Sequence, residues 1–355
     1  MTLDAINLFS GADGWGVGAK ALGLDVVGIE LDEAAAATAT SAGHRTVVGS
    51  VTDYGPLDFP ARGLIASPPC QTFSTAGKGA GRQALDVVEA LARGMARGEG
   101  LPDVSAFSDP RTALVLEPLR WALQALDAGR PYEWIALEQV PTVLPVWELY
   151  AEILRNEGYS VAVGNLQAEQ FGVPQTRRRA ILVARLRGEA RLPEPTHSRY
   201  HAHRPERLDE GVLPWVSIGE ALGTDATLRS QYGSGGDPSA RGLRTANEPA
   251  QTITGTADRA KWLQSQQKPA TKNPQYQRRA VEAPSMALTG NSGRNRWDTG
   301  QQLTEAEAAV LQTFPADYPW QGTKGQRFLQ IGNAVPPLMA RAILAAATTP
   351  KEARA

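Results

Sequence analysis

The sequence predicts an α/β protein built on a doubly wound, mostly parallel sheet, and three observations carry that prediction. Short apolar runs alternate with amphipathic stretches along the first half of the chain. The first run, residues 5–9, opens directly into a glycine turn, Gly11-Ala12-Asp13-Gly14, and then a helical stretch. The second run, 25–30, ends on Glu30, which completes the order strand, glycine turn, helix, strand, acid that binds nucleotides.

The later elements follow the same alternation. Strands are expected at 45–51, 62–66, 134–138 and 180–184, with helices at 84–93, 112–128 and 146–156. Near the end, a threonine-capped helix over 303–314 precedes a closing helix over 337–347. The glycine spacing is not a regular G-x-G-x-x-G, so a glycine-rich turn with no ligand remains an alternative. Glu30 favours the nucleotide reading, because a carboxylate there can accept from two ribose hydroxyls.

Length and composition set bounds. The chain of 355 residues is 42% hydrophobic and 21% charged, ordinary for a globular protein and long enough for two domains. No basic region followed by an apolar run opens the chain, and no apolar stretch reaches the ~20 residues that span a bilayer. A reduced, cytoplasmic setting is expected. The net charge of −1 does not point to nucleic acid, but its distribution does. Residues 175–207 carry nine arginines against three glutamates, and 268–296 is basic as well. His201-Ala202-His203 has a metal-pair spacing but no thiol or acid in register. Glu248–Gly255 and Ala283–Gly290 share a Pro-x-x-x-[Ile/Leu]-Thr-Gly pattern, either paired units or a chance match of turn chemistry.

Cys70, the sole cysteine, follows Ser67-Pro68-Pro69 at the end of the 62–66 strand. It can form no internal disulfide and no multi-cysteine zinc site. It is either a buried thiol or a nucleophile. The double proline favours the nucleophile, because it fixes the approach to Cys70 in one extended path.

Five segments in order, Phe9–Gly14, Pro68-Pro69-Cys70-Gln71, Glu138-Gln139-Val140, Gln175-Thr176-Arg177-Arg178-Arg179 and Gly332–Pro337, closely resemble the motifs of the DNA cytosine-5 methyltransferase family. The resemblance implies a Rossmann-like S-adenosylmethionine-dependent methyltransferase sheet and a smaller, variable target-recognition domain. It divides the chain into a catalytic, cofactor-binding part (1–186 with 303–355) and a DNA-binding part (187–302). It implies Cys70, Glu138, Arg177 and Arg179 as catalytic residues. Phe9, Gly11, Gly14, Glu30, Ser50, Val51, Pro69 and Asn333 would bind S-adenosyl-L-methionine, and Gln71, Ser74 and Arg178 would meet DNA. No metal is implied. Three departures stand out: Asp13 where the family has a second glycine, Ser50 where an acid is common, and Gln139 in place of asparagine.

The implied reaction moves a methyl group to C5 of a cytosine flipped out of a specific double-stranded DNA sequence, through a bond between Cys70 and C6. A restriction-modification, orphan or phage setting is expected, with a cognate endonuclease as a possible partner and the protein acting as a monomer on DNA. The glycine-rich 77–82 segment has hinge composition for a loop closing over the base. Alternatives are a tRNA cytosine-5 methyltransferase and a catalytically silent DNA-binding protein.

Overall fold

The computed structural model describes residues 2–69, 85–99, 107, 109–202, 204–225, 227–229, 243–253, 261–263 and 302–348. Cys70, Gln71, Ser74, the 77–82 segment, the 268–296 stretch and the second Thr-Gly repeat lie outside the described residues. The chain packs as two units. The first comprises Met1–Leu166, Arg178–Glu194 and Ala340–Ala355; the second comprises Gln167–Arg177 and Pro195–Met339. Packing therefore groups Gln167–Arg177 and most of the stretch after residue 303 with the middle region, whereas the sequence pattern counts them with the catalytic part.

The first unit is built on strands β1 (Leu3–Leu8), β2 (Val26–Glu30), β3 (Arg45–Val48), β4 (Ala61–Ala66), β5 (Trp134–Gln139) and β6 (Ser160–Gln167). The two-residue β7 (Gln175–Thr176) belongs to the second unit, and β8 (Arg178–Arg185) returns to the first. The seven-stranded order is β3-β2-β1-β4-β5-β8-β6. β1 to β5 pair in parallel, while β8 runs antiparallel to β5. All six β5 residues are buried, as expected of a central strand covered on both faces. Strand β6, half-buried along most of its length, lies at the sheet edge, and its mixed polarity hid it from periodicity.

Helices α1 (Gly14–Lys20), α2 (Glu33–Ser41), α3 (Leu85–Ala96), α4 (Glu117–Asp127) and α5 (Leu144–Asn156) alternate with the strands. Trp121, Trp147 and Tyr150 are completely buried, and the polar ends of the last two are satisfied. Trp147 donates to the Ala180 carbonyl at 3.2 Å and Tyr150 to that of Val115 at 2.8 Å. The expected third strand stops at Val48 because Ser50 caps a short 3-10 turn, Val51–Asp53, by accepting from Thr52 N.

In the second unit, β9 (Thr227–Arg229) pairs antiparallel with β10 (Leu243–Arg244) and β12 (Lys261–Leu263), and β11 (Ala250–Gln251) pairs parallel with β7. Helices α6 (Ile218–Leu222), α7 (Glu305–Leu311) and α8 (Lys324–Asn333) open on capping boxes at Ser217, Thr304 and Thr323. Most of the closing helix α9 (Pro337–Thr348) lies in the first unit, where Arg185 Nη1 donates to the Ala347 carbonyl at 2.7 Å. Among the described residues, no helix is long and apolar enough to cross a membrane.

Candidate active site

Parallel strands place their carboxyl ends on one edge of the sheet, where open α/β folds bind ligands. At that edge β1 runs into the turn Phe9–Asp13. Phe9, Gly11 and Asp13 have φ of 60°, 57° and 64°. Only Gly11 takes a left-handed φ without strain. Asp13 is compensated by its contacts: buried, it accepts from Gly16 N and Asn7 Nδ2 at 2.9 Å each, with His44 Nδ1 at 3.4 Å. A Cβ at Gly16 would lie 2.0 Å from the Asp13 carboxylate, so the glycine is required for that approach. Burial pushes the Asp13 carboxyl above its ordinary range, against the pull of His44 and the two donors.

Glu30 ends β2 beside this turn. Its Oε2 accepts from Gly11 N and its Oε1 from Asp32 N, both at 2.7 Å. Burial raises its pKa above 4.5, and the backbone donors oppose that rise. The two backbone bonds orient the carboxylate, and each oxygen keeps a second lone pair for a ligand hydroxyl. Leu31, which follows, is 69% exposed, an apolar surface beside this carboxylate that no sequence pattern singled out.

The next strand end carries Ser50 and Val51. The Ser50 hydroxyl is taken locally by Thr52. The Val51 carbonyl is held by Arg120 Nη2 at 2.8 Å and Trp121 Nε1 at 3.3 Å, and Arg120 also holds the Tyr54 carbonyl and pairs with Glu117. No sequence pattern announced this clamp, because Arg120 and Val51 lie 69 positions apart.

The residues fit a nucleoside-bearing cofactor. Asn7 Oδ1 and Ser10 Oγ, on either side of the turn's entry, are buried without a hydrogen-bond partner. A Cβ at Gly11 would meet nothing within 4 Å, so the backbone there is open to a ligand. Gly14 is buried as the first residue of α1, and Phe9 is half-buried.

Further along the edge, β5 ends in Glu138-Gln139 and antiparallel β8 begins beside it, in the register Glu138↔Ile181 and Gln139↔Ala180. This register brings Arg179 against Glu138 across 41 positions of sequence. Arg179 Nε lies 2.8 Å from Glu138 Oε1, with side chains 12% and 6% exposed. The approach is off-axis, so Oε1 makes a charge contact yet remains without a directed hydrogen bond. A buried carboxylate oxygen in that state is poised to bond something else. Arg179 Nη1 is anchored on the Arg178 carbonyl at 2.7 Å, and the Arg178 side chain is exposed. The Gln139 amide donates to the Pro68 carbonyl, and its oxygen accepts from Val140 N. The longer glutamine thus reaches across to the segment that leads through half-buried Pro69 toward Cys70.

A family model for C-5 cytosine-specific DNA methylases matches residues 3–87 and 133–348. The chain belongs to this family. The methyltransferase is 27% identical over 373 residues to the Type II methyltransferase M1.HphI of Haemophilus parahaemolyticus, covering 97% of this chain and 86% of that one. It is 29% identical over 359 residues to M.NaeI of Lentzea aerocolonigenes, covering 96% and 74%. In fold it resembles the Dnmt2 methyltransferase of S. pombe (TM-score 0.56, 15% identity, 98% of each chain) and EhMeth of Entamoeba histolytica (TM-score 0.55, 14% identity, 98% of each chain).

Not all of the methyltransferase's expected site residues fall in one unit. Arg177, two positions from Arg179, belongs to the second unit and is 2% exposed. Its Nη1 donates to the carbonyls of Ile253 and Gly332 at 3.1 and 2.9 Å. It joins Gln175 and Gln312, both fully buried, in a network onto Leu311, Ile331 and Ile253 main chain. Asn333, exposed at the end of α8, also lies in the second unit. The first Thr-Gly repeat has a structural use: Glu248 is buried against Tyr200 and Thr245, and Ala250 pairs with Gln175. His201 is bound to Asp209 at 2.9 Å, and no group of three metal-capable side chains occurs among the described residues.

Proposed function

We propose that this DNA cytosine-5 methyltransferase uses S-adenosyl-L-methionine as donor and Cys70 as covalent nucleophile on a cytosine flipped out of double-stranded DNA. The observation that carries the site is the buried Glu138–Arg179 pair with its unsatisfied Oε1. The Phe9–Gly14 turn and Glu30, with Ser50, Val51, Pro69 and Asn333 as further contacts, would hold S-adenosyl-L-methionine, which would supply an electrophilic methyl group.

The chain's own residues prepare the acceptor. Cytosine C5 is a weak nucleophile until the Cys70 thiolate adds to C6 and pushes electron density onto C5, N3 and O2. Glu138 meets N3, where the new charge requires a proton or hydrogen bond, and Arg179 orients Glu138 and holds O2. Once C5 is methylated, loss of its proton expels Cys70 and restores the ring. Arg177 acts in this reading as a positioning residue, through the carbonyls it holds. Gln71, Ser74 and exposed Arg178 face the DNA, and extrusion of the base is required because a stacked cytosine offers neither C6 nor N3 to side chains. The names of the relatives support a restriction-modification setting with an endonuclease cutting the same site. A cytoplasmic monomer acting on DNA completes the proposal.

The test is expression of wild type and Cys70→Ala in a host without cytosine methylation, followed by bisulfite sequencing of DNA and RNA. New 5-methylcytosine in DNA from wild type alone is expected. Signal in RNA only would move the substrate, and DNA signal in Cys70→Ala would refute the nucleophile.

A further inference from the structure

Pro68 and Pro69 have no backbone N–H, so the approach to Cys70 lacks the donors that normally anchor a strand end. Two side chains from distant elements hold the segment by its acceptors instead. Trp15 Nε1 donates to Ser67 Oγ at 2.9 Å, and Gln139 Nε2 donates to the Pro68 carbonyl. Among the described residues the backbone adds a long bond of 3.4 Å from Ser67 N to the Leu8 carbonyl. Gln139 comes from the strand that carries Glu138. Trp15 comes from the other side, one residue past the glycine turn in the first turn of α1, and is 2% exposed.

Its placement gives Trp15 more than a packing role. A buried indole needs an acceptor for its N–H, and any core carbonyl would serve. Here the acceptor is the hydroxyl immediately ahead of the double proline. The helix start that closes the donor turn and the strand end that leads to the thiol are joined by this single bond.

We propose that Trp15 is a positioning residue for methyl transfer: its indole N–H ties the donor turn to Ser67, holding methyl donor and nucleophile in one frame. The inference rests on the reading of Cys70 as nucleophile and of the glycine turn as donor pocket. Small misplacements of reacting groups are costly because orientation is a large part of the barrier. Losing the tether therefore lowers kcat rather than donor affinity.

Because Cys70 is the only cysteine in the chain, alkylation by iodoacetamide, read by intact mass, reports on that position alone. Trp15→Phe keeps the ring and removes the N–H; Ser67→Ala removes the acceptor and is the milder change should the first fail to fold. In each variant kcat is expected to fall roughly three- to tenfold, the worth of one neutral hydrogen bond, with KM for S-adenosyl-L-methionine within about twofold. Ligand-free alkylation of Cys70 should rise by a similar factor in both. The double variant should be no worse than either single, the signature of one shared contact. Unchanged kcat and alkylation, effects that multiply in the double variant, or a loss confined to KM would overturn the proposal. Methylation surviving in Cys70→Ala, or failure of the wild type to bind S-adenosylhomocysteine, would instead defeat the underlying reading and is scored separately.

Discussion

Strand β5 has one glutamate just before its first residue and another next to its last, and each is held by an arginine at 2.8 Å. At the amino end Glu133 pairs with Arg62, both 55% exposed. At the carboxyl end Glu138 pairs with Arg179, 6% and 12% exposed. The separations are equal, so distance does not distinguish the pairs; water does. The exposed pair is bidentate and fully hydrogen-bonded, and solvent screens it to little net value. The buried pair is off-axis and leaves an oxygen unsatisfied, a state that costs stability and that a substrate can relieve. The chain thus places its better-satisfied ion pair at the amino end of the strand and its poorly satisfied one at the carboxyl edge, where open α/β folds bind ligands.

The sharpest way to break this comparison is Glu138→Gln. The variant keeps the shape, loses the charge and cannot deliver a proton to N3. The methylation rate under single turnover should fall by about 10²–10⁴, the usual weight of a positioned acid–base group. A loss below tenfold would reduce Glu138 to a structural carboxylate.

Arg177 extends the comparison to a buried arginine that holds main-chain carbonyls. Arg177→Met keeps the bulk but withdraws donors from the Ile253 and Gly332 carbonyls. Denaturant unfolding should show a loss of about 1–3 kcal/mol, the cost of the buried Gly332 carbonyl left without its side-chain donor, because the Ile253 carbonyl still accepts from Gln312 Nε2. Activity per folded molecule should fall less than tenfold. A large drop in activity with stability intact would place Arg177 on the base.

These two arginines also show how far the sequence could be read. Alternation of apolar runs announced the sheet, and a strand-end position announced Glu30, because both signals are local; Glu138 came from the resemblance of its motif. The pairing of Glu138 with Arg179 followed once motifs were recognised, although the antiparallel register that creates it is not written in either segment. Arg177 and Arg179 share a face by period-two alternation, yet Arg177 precedes β8 and turns into the Gln175–Gln312 network. Trp15 with Ser67 and Arg120 with Val51 were illegible for one reason: each bond joins residues more than fifty positions apart, and nothing in either segment names the other as its partner.

Glu30 is a third carboxylate, intermediate between the two ends of β5: half-buried, where Glu138 is buried and Glu133 exposed, and satisfied like Glu133. Burial raises its pKa above 4.5, so acidification neutralises it at a higher pH than an exposed glutamate. An ionised carboxylate accepts from two hydroxyls, whereas the neutral acid has less acceptor capacity. Affinity for S-adenosylhomocysteine should therefore hold at neutral pH and fall as pH drops through that raised value. Glu30→Gln should bind about 10- to 100-fold more weakly at pH 7, the cost of charge-assisted bonds, and lose most of the pH dependence. Asp13, also raised, stays in both proteins and serves as the internal control. A wild type whose affinity is flat down to pH 4.5 would refute the assignment.

The smallest effect is expected at the amino end of β5. Arg62 holds the Glu133 carboxyl below its ordinary range, so the pair favours the fold above the unfolded value of 4.5 and loses that contribution as pH falls through the lowered one. Both side chains are more than half exposed, so the benefit is discounted by solvent. Glu133→Gln should change stability by no more than about 0.5 kcal/mol at pH 7, and less in 1 M salt. Methylation should be unchanged, since the pair lies at the opposite end of the strand from Glu138. A Glu133→Gln defect approaching that of Glu138→Gln would mean that β5 transmits strain along its length, and the contrast between its two ends would have to be explained by the strand's rigidity rather than by water.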